Sequence, residues 1–475
     1  MLDFLFTKTP LLFLVQDLWR DEAFSYVLSV RSIPDILHLT AGDFNPPFYY
    51  ILLHFWMNIF GSSEIAMRSL SLIFFLATLY ILYDTCLYVL KIPHKRTAVY
   101  FLLFLFNPFL LTYAFEARMY MMVTFFITLS YFSLWTGRKK LYIISIVLGL
   151  YTHYLSIFIF GIQTFMYLFA FWYKNRQKNF FYTMKTHIVS FSHFIIPGLI
   201  FLPWVMFMLL SHNFSDGGFW IITPPLKDFW YMPFVLYTGY ERVFGQYYHG
   251  MAGYTDFHST LNTLLWLILL IPLVLTIYKN RKSFKDLHSS YLFLNSKKME
   301  IILWAFFPPL IIFILSFISQ PLYLPRYFIF AAPGLLLLFV VCFEYILQAN
   351  NKMLRYSLAI VAVLGIFLTT YTKTFNTLNL RYHSKRSVKN FYNEIKMIKQ
   401  PTDLIYLDSE LDYHLAQYYF GIKEKIYIYN KTYAGIPQYV GKVLISEDAV
   451  TQILPSYPIR AFVVYYHWYN IRSIE

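Results

Sequence analysis

Long apolar segments, separated by short polar ones, fill most of the first 372 residues of the chain. Ten of them predict helices that cross a membrane, at about 66–90, 97–115, 119–136, 141–152, 155–173, 188–210, 259–278, 300–318, 327–348 and 356–372. An eleventh apolar run, from Phe4 to Val15, contains Lys8 and is shorter than the ~20 residues that a spanning helix needs. It predicts either a short span or a start codon further upstream. The pattern therefore predicts an all-α polytopic membrane protein with about 11 transmembrane helices.

Between the first two apolar runs, residues 17–65 predict two short amphipathic helices that lie on the membrane. Ser32-Ile33-Pro34-Asp35 is a helix start signal, and Asn45-Pro46 starts a second segment that runs to about Phe60. In the second segment Phe48, Ile51, Leu52, Phe55 and Ile59 share one face, while Tyr50, His54 and Asn58 line another. Its fifteen or so residues cover only about 22 Å, which is too short to cross a ~30 Å hydrocarbon core. An interfacial position fits better.

After Thr372 the pattern changes to alternating short strands and helices. Strands are predicted at 403–407, 425–429, 442–445 and 461–465, and helices at 387–399, 410–420 and 447–454. We therefore expect two domains, a membrane-embedded one over 1–372 and a small soluble α/β one over 373–475. The second contains no glycine-rich nucleotide motif and no zinc-ligand spacing.

Composition and charge agree with the membrane assignment. Hydrophobic residues make up 58% of the 475 residues and charged ones only 13%. The net charge of +14 does not indicate nucleic-acid binding, because the basic residues sit in short clusters between apolar runs. Those clusters lie in alternate loops, near residues 91–96, 138–140, 174–178, 279–298 and 352–355. By the positive-inside rule these loops face the cytoplasm, so 17–65 and the C-terminal domain should lie outside it.

Adjacent carboxylates beside a bilayer are costly unless they are used, which makes Asp21 and Glu22 the first candidates for chemistry. Neighbouring residues on a helix start point about 100° apart, so we expect two roles. One carboxylate would act as a general base on an acceptor hydroxyl, and the other would orient a partner or bind a cation. The alternative is simple capping of a helix N-terminus.

Further polar residues lie at the predicted outer ends of spans. Glu116 and Arg118 would be a second acidic group and a phosphate contact, or an ion pair that closes a turn. His153 would be a metal ligand or a phosphate donor, or an ordinary residue of the aromatic belt. Arg326 suits a lipid phosphate, although a snorkelling anchor is the alternative. His54, in the second amphipathic helix, is a weaker candidate for a functional residue.

Six motifs occur together in one order along the chain. They are Trp19-Arg20-Asp21-Glu22-Ala23-Phe24-Ser25, Asn45-Pro46-Pro47-Phe48-Tyr49-Tyr50, Ala66-Met67-Arg68, Glu116-Ala117-Arg118-Met119-Tyr120, Tyr151-Thr152-His153-Tyr154 and Arg326-Tyr327. The set resembles the bacterial branch of the protein O-mannosyltransferase superfamily. These are membrane glycosyltransferases of the GT-C fold, related to the lipid A aminoarabinose transferase. The resemblance covers roughly residues 10 to 372.

The resemblance implies an inverting transfer of a sugar from a polyprenyl-phosphate carrier to an acceptor hydroxyl, on the outer face of the cytoplasmic membrane. Asp21 would be the general base, Glu116 would help to form the site, and arginines would hold the carrier phosphate. The expected substrate-binding residues are Tyr50, His54, Arg118, Tyr120, His153, Tyr154, Arg326 and Tyr327. The acceptor would be a lipid, a glycan or a protein. A divalent metal at Glu22, Glu116 and His153 stays an open alternative, and the family's full first span is missing from the pattern.

Two other functions stay in competition with this one. An O-antigen polymerase or ligase would call for a large outer loop rich in arginine and histidine, whereas loop 211–258 is rich in aromatic residues and glycine. A transporter or flippase of lipid-linked sugars would place polar residues and broken helices at mid-membrane. Here the polar residues gather at the outer interface, which favours chemistry there.

Overall fold

The computed structural model describes residues 11–175, 188–211, 220–241, 256–280, 296–348, 352–376, 388–456, 458–465 and 468–472. Its α-helices are α1 Leu12–Val15, α2 Arg20–Ser29, α3 Ile33–Ala41, α4 Phe48–Phe60, α5 Glu64–Asp84, α6 His94–Leu105, α7 Pro108–Ala114, α8 Tyr120–Trp135, α9 Lys139–Leu150, α10 Ile157–Asn175, α11 Ile188–Ser211, α12 Lys227–Trp230, α13 Met232–Thr238, α14 Asp256–Asn280, α15 Lys297–Ile318, α16 Ala332–Leu347, α17 Lys352–Asn376, α18 Lys389–Ile398 and α19 Tyr413–Phe420. A π-helical turn, Thr85–Val89, extends α5, and a 3₁₀ segment, Pro325–Ala331, leads into α16.

Each of the ten apolar segments forms helix in the structure, which confirms a helical, multi-pass architecture. Within the described residues, five helical segments are long and apolar enough to cross a membrane, or six if the bent pair α6 and α7 is one span. The count of eleven spans is not confirmed and stays a prediction. The first apolar run lies partly outside the described residues, which contain only α1 of it.

The bend of 63° between α6 and α7 has a local cause at Asn107. The Asn107 carboxamide oxygen accepts a hydrogen bond from the backbone N–H of Leu110, and Pro108 follows it in the first helical position. These are the start signals of a new helix, so the chain turns there instead of continuing α6. Asn107 also donates to the carbonyl oxygen of Tyr237 in α13, which ties the bend to that short helix.

The predicted helices of the first loop are present as α3 and α4, preceded by α2. Helix α4 has 13 residues and is about 20 Å long, too short to cross a membrane. Tyr49, Tyr50 and Leu53 are buried against the protein, while Phe55 and Ile59 are exposed by 53% and 73%. An exposed apolar face beside a buried one agrees with a helix that lies along an interface.

The C-terminal α/β unit is a five-stranded sheet of β1 Leu404–Leu407, β2 Ile426–Tyr429, β3 Val450–Thr451, β4 Ala461–Val464 and β5 Tyr469–Arg472. The spatial order is β3-β2-β1-β4-β5, with β5 alone antiparallel to its neighbour. Two details of the sequence prediction are wrong. Residues 442–445, predicted as a strand, contain a 3₁₀ turn, and the predicted helix at 447–454 is a 3₁₀ turn followed by β3. The edge strand β5 was not predicted. The division at 372 stays a prediction.

The C-terminal unit packs directly on the first loop. The Asp17 carboxylate accepts from the backbone N–H groups of Val388 and Lys389, both at 2.8 Å, and so satisfies the start of α18. The Tyr419 hydroxyl accepts from the N–H of Leu18 at 2.9 Å. These contacts fix Asp17 and Leu18, which lie just before α2, the helix that carries Asp21 and Glu22.

Candidate active site

Asp21 lies in the first turn of α2 with its side chain 38% exposed. Its Oδ2 atom is 3.4 Å from Nη1 of Arg326. The backbone carbonyl of Asp21 accepts from the Ser25 hydroxyl, an ordinary contact one helical turn away. A partly exposed carboxylate is accessible to a substrate, which a general base requires.

Glu22, next to Asp21, is fully buried and has a different environment. Its two carboxylate oxygens accept from Nε and Nη2 of Arg68, both at 2.8 Å. They also accept from the backbone N–H of Ala117 at 2.9 Å and of Trp19 at 3.2 Å. Glu22 thereby ties the start of α2 to α5 and to the segment that holds Glu116 and Arg118. This environment favours the orienting role over cation binding.

Arg68 uses all five of its N–H donors to hold this loop. Besides Glu22, it donates to the carbonyl oxygens of Leu14, Gln16 and Asp17, at distances of 2.5 to 3.1 Å. The side chain is completely buried. A buried guanidinium that is fully hydrogen-bonded has a structural role, because no donor remains for a ligand.

Arg118 is buried in the same region, but its hydrogen-bond donors are much less well satisfied than those of Arg68. Its Nη1 atom reaches the Asp21 carbonyl, the Ser25 hydroxyl and the Tyr50 hydroxyl, at 3.3 to 3.4 Å. Its Nε donor is buried and has no hydrogen-bond partner among the described residues. The three Nη1 distances lie well beyond the usual 2.9 to 3.0 Å, so these hydrogen bonds are weak.

Arg326 approaches Asp21 although it lies 305 residues later in the chain. The 3₁₀ segment before α16 positions it, and its side chain is only 9% exposed. Its guanidinium lies over the rings of Trp19 and Trp220, 5.7 and 5.6 Å from their centroids. Its Nε is 3.5 Å from Oε1 of Glu241, an ion-pair contact that is too long for a good hydrogen bond.

The three arginines therefore fall into two classes. Arg68 is saturated by short hydrogen bonds, whereas Arg118 and Arg326 keep donors that only long contacts reach. Two buried cations with underused donors, each within 3.4 Å of an Asp21 oxygen, are suited to an anion with several oxygens. A phosphate group is the natural candidate among biological anions.

His153 lies beside the two arginines in a turn between α9 and α10. Its ring is 6.3 Å from that of Tyr120 and 6.0 Å from that of Tyr327, measured between centroids. Burial, together with the charge of Arg118, lowers the pKa of His153 to about 3. The imidazole is therefore neutral at physiological pH. Because Nδ1 accepts from the backbone N–H of Leu155, the proton is assigned to Nε2, which makes it a hydrogen-bond donor.

The remaining predicted residues divide between this group and its surroundings. Tyr120 lies under the Arg118 guanidinium, 5.9 Å from its Cζ atom, and Glu116 is buried two residues before Arg118. His54 bonds instead to the carbonyl of Ser29 at the far end of α2. The Tyr154 hydroxyl accepts from Trp204 in α11. The structure thus brings Tyr50, Arg118, Tyr120, His153, Arg326 and Tyr327 around Asp21, but not His54 or Tyr154.

The metal alternative receives no support from side-chain clustering. Over the described ranges, no three or more His, Cys, Asp and Glu residues come together in a way that could hold a metal ion. Of the three residues considered from sequence, Glu22 is engaged by Arg68, and Nδ1 of His153 accepts from a backbone N–H.

Sequence reasoning did not assign roles to two residues of this region. Arg68 lies in one of the quoted motifs, but nothing in the sequence distinguishes its role from those of Arg118 and Arg326. Glu241 accepts from the Tyr113 hydroxyl at 3.0 Å and approaches Arg326. Its only signal is that it is one of few carboxylates in a long aromatic loop.

No protein-family model and no curated protein matches the chain. Two solved structures are similar to it, both crystal structures of ArnT from Cupriavidus metallidurans. The apo form has a TM-score of 0.51 at 11% identity, covering 94% of this chain and 89% of that one. The form bound to undecaprenyl phosphate has a TM-score of 0.53 at 12% identity, covering 98% and 93%. Identity this low shows the fold alone, and the fold agrees with the GT-C type that the motifs predict.

Proposed function

We propose that this protein is a membrane glycosyltransferase that moves a sugar from a polyprenyl-phosphate carrier to an acceptor hydroxyl. The observation that carries the proposal is the accessible Asp21, whose carboxylate contacts the buried Arg326 and whose backbone carbonyl contacts the buried Arg118, two arginines with underused donors. Such a site can hold a phosphate on one side and accept a proton on the other. Support also comes from the fold, since one of the similar ArnT structures binds undecaprenyl phosphate.

The reaction proceeds as a single displacement with inversion at the anomeric carbon. The acceptor oxygen attacks that carbon and forms the new glycosidic bond, while the bond between the anomeric carbon and the phosphate oxygen breaks. The electron pair of the broken bond stays on the phosphate, which leaves as polyprenyl phosphate. The hydroxyl proton goes to the Asp21 carboxylate, which acts as general base.

Arg118 and Arg326 stabilise the charge that develops on the leaving phosphate. Their donors are fixed by burial before the substrate arrives, so little reorganisation is needed during the reaction. The aromatic rings of Trp19 and Trp220 lie within 6 Å of the Arg326 guanidinium and exclude water from part of its surface, which strengthens its interaction with an anion. Glu116 lies two residues before Arg118 in the chain and contributes to the charge balance around the two arginines.

Glu22 and Arg68 position the base without touching the substrate. Their buried pair joins α2 to α5, so the start of α2, and Asp21 with it, cannot shift independently of the membrane domain. The basic clusters in alternate loops predict that this site lies on the outer face of the cytoplasmic membrane. A carrier with a long apolar chain explains why the site lies at the end of the membrane helices.

The test uses the purified protein in lipid nanodiscs with radiolabelled polyprenyl-phosphate sugars and candidate lipid, glycan and protein acceptors. The wild-type protein should transfer label, and Asp21→Asn should lose most turnover, since a positioned carboxylate contributes about 10²- to 10⁴-fold. Asp35→Asn is the matched control, because Asp35 is an exposed carboxylate at the start of the next helix. Its activity should equal that of the wild type. Normal turnover by Asp21→Asn would rule out the proposed mechanism.

A further inference from the structure

A cavity lies at the opposite end of the membrane helices from Asp21. It has a volume of about 450 Å³ and is bounded by the end of α8 and the beginnings of α9 and α15, with α10 and α11 behind them. Trp135 lines it, and Tyr120, at the other end of α8, contacts Arg118. Fifteen residues of helix separate these two positions by about 22 Å, so the cavity is not part of the candidate active site. Its volume is in the range of ligand pockets.

The entrance of this cavity carries net positive charge. Lys139, at the start of α9, and Lys297, at the start of α15, both line it. Glu300 is the acidic lining residue, and its carboxylate accepts a hydrogen bond from the Trp135 indole. Two ammonium groups against one engaged carboxylate favour an anionic ligand.

The cavity also contains buried polar atoms that are not satisfied by the protein. The Ser133 hydroxyl is fully buried, and Nδ1 of His193 belongs to a ring that is 3% exposed. Neither atom has a hydrogen-bond partner among the described residues. Buried polar groups are normally paired, so two orphaned groups in one cavity wall indicate that a polar ligand occupies it.

Beyond the polar groups, the lining is apolar and borders the lipid-facing surface. Ile162, Met166 and Leu303 line the cavity, and α10 exposes Phe165 and Trp172 on its outer side. The cavity therefore combines two lysines and buried polar groups with apolar positions on α10, along which the chain of a lipid can pack. Basic pockets between helices at the cytoplasmic side are a known mode of recognition for anionic lipid head groups.

We propose that this cavity binds an anionic, phosphate-headed lipid from the leaflet opposite the active site. Lys139 and Lys297 contact the phosphate, Ser133 and His193 hydrogen-bond to the head group, and the chain lies along α10. The same chemistry could come from a phospholipid or from a polyprenyl phosphate, so both are tested.

The experiment measures lipid binding to the delipidated, full-length protein by native mass spectrometry, with phosphatidylglycerol and a polyprenyl monophosphate as separate probes. Lys139→Gln/Lys297→Gln should weaken binding about 25-fold, because each basic residue near an anionic lipid contributes roughly fivefold. The matched control is Lys140→Gln/Lys298→Gln, which removes the same charge one residue further along each helix and outside the cavity. It should bind as the wild type does. Ala170→Phe keeps both lysines but fills the cavity, and should also weaken binding.

The probes separate the two sources. If the two cavity variants lose phosphatidylglycerol binding, the site is assigned to a phospholipid. If they lose one of two bound polyprenyl phosphates, the site is assigned to the carrier. The proposal is overturned if the control variant loses as much affinity as the cavity variant, if Ala170→Phe binds normally, or if zwitterionic phosphatidylcholine binds equally well. Thermal melting checks that every variant is folded.

Discussion

At the scale of single residues, the hydrogen bonds of three arginines distinguish one with a structural role from two that can still bind a ligand. A guanidinium has five donors in a fixed plane, so the number and length of its bonds show whether it still has capacity for a ligand. Arg68 has none left, while Arg118 and Arg326 do. Lysine substitutions test this difference, because they keep the positive charge but remove the planar set of donors that can bind two oxygens at once.

Arg118→Lys and Arg326→Lys should each raise the KM for the donor by about tenfold or more. The lost contact is a charged hydrogen bond to phosphate, worth roughly 1.5–3 kcal/mol. The measurement is steady-state transfer at varied donor concentration and saturating acceptor. Unchanged kinetics in both variants would leave these residues as interface anchors only.

Arg68→Lys should act on stability instead. Lysine has three donors where five are used, so it breaks a buried pair and leaves backbone carbonyls unsatisfied, at a cost of roughly 3 kcal/mol. The melting temperature in detergent should fall by several degrees, whereas that of Arg326→Lys should stay near the wild-type value. Equal melting temperatures for the two variants would contradict the division of the arginines.

At the scale of elements, the decisive contact is between α2 and the C-terminal unit. Gly441 has φ +80°, and a Cβ there would lie 2.5 Å from the Phe24 ring of α2 and 2.7 Å from His414. Arg20 of α2 forms an ion pair with Asp412 at 3.2 Å, next to α19. The C-terminal unit therefore supports the helix that carries Asp21.

Gly441→Ala should reduce kcat by displacing α2, and donor binding should change less. The control is Gly421→Ala, which also replaces a glycine of positive φ, +119°, but where the nearest atom to a new Cβ is 4.0 Å away. Both variants carry backbone strain, so the difference in kcat between them measures the contact with α2. Equal activities would show that the support is not needed for turnover.

At the scale of the whole molecule, sidedness decides whether the site meets its substrates. The basic clusters predict that the C-terminal unit lies outside the cytoplasm, on the same side as Asp21. Alkaline phosphatase fused after Glu475 should therefore be active, and β-galactosidase at the same position inactive. Fusions after Lys178, in a predicted cytoplasmic loop, should behave in the opposite way. A reversed pattern would move the candidate site to the cytoplasmic side.

The sequence by itself determined the helical membrane architecture, the loop that carries the acidic pair, and most of the residues around it. It could do so because apolar periodicity and helix start signals are local properties, which depend on neighbours along the chain. The same reasoning failed at 442–445, where an apolar, β-branched run forms a turn. There Gly441 in the left-handed region and the packing against Phe24 override local propensity. The edge strand β5 is mostly exposed, and its alternation of apolar and polar residues covers only the four positions Tyr469–Arg472, the shortest run that indicates a strand.

Only the tertiary structure decided what each charged residue does. Glu22 and Asp21 are adjacent in sequence, yet Glu22 is buried against Arg68, whereas Asp21 is partly exposed beside Arg326. Glu241 reaches Arg326 from a distant loop, and Lys139 and Lys297 meet at one cavity although 158 residues separate them. The physical reason is that burial and the number of satisfied donors depend on which segments pack together. Those contacts are non-local, so no pattern along the chain encodes them.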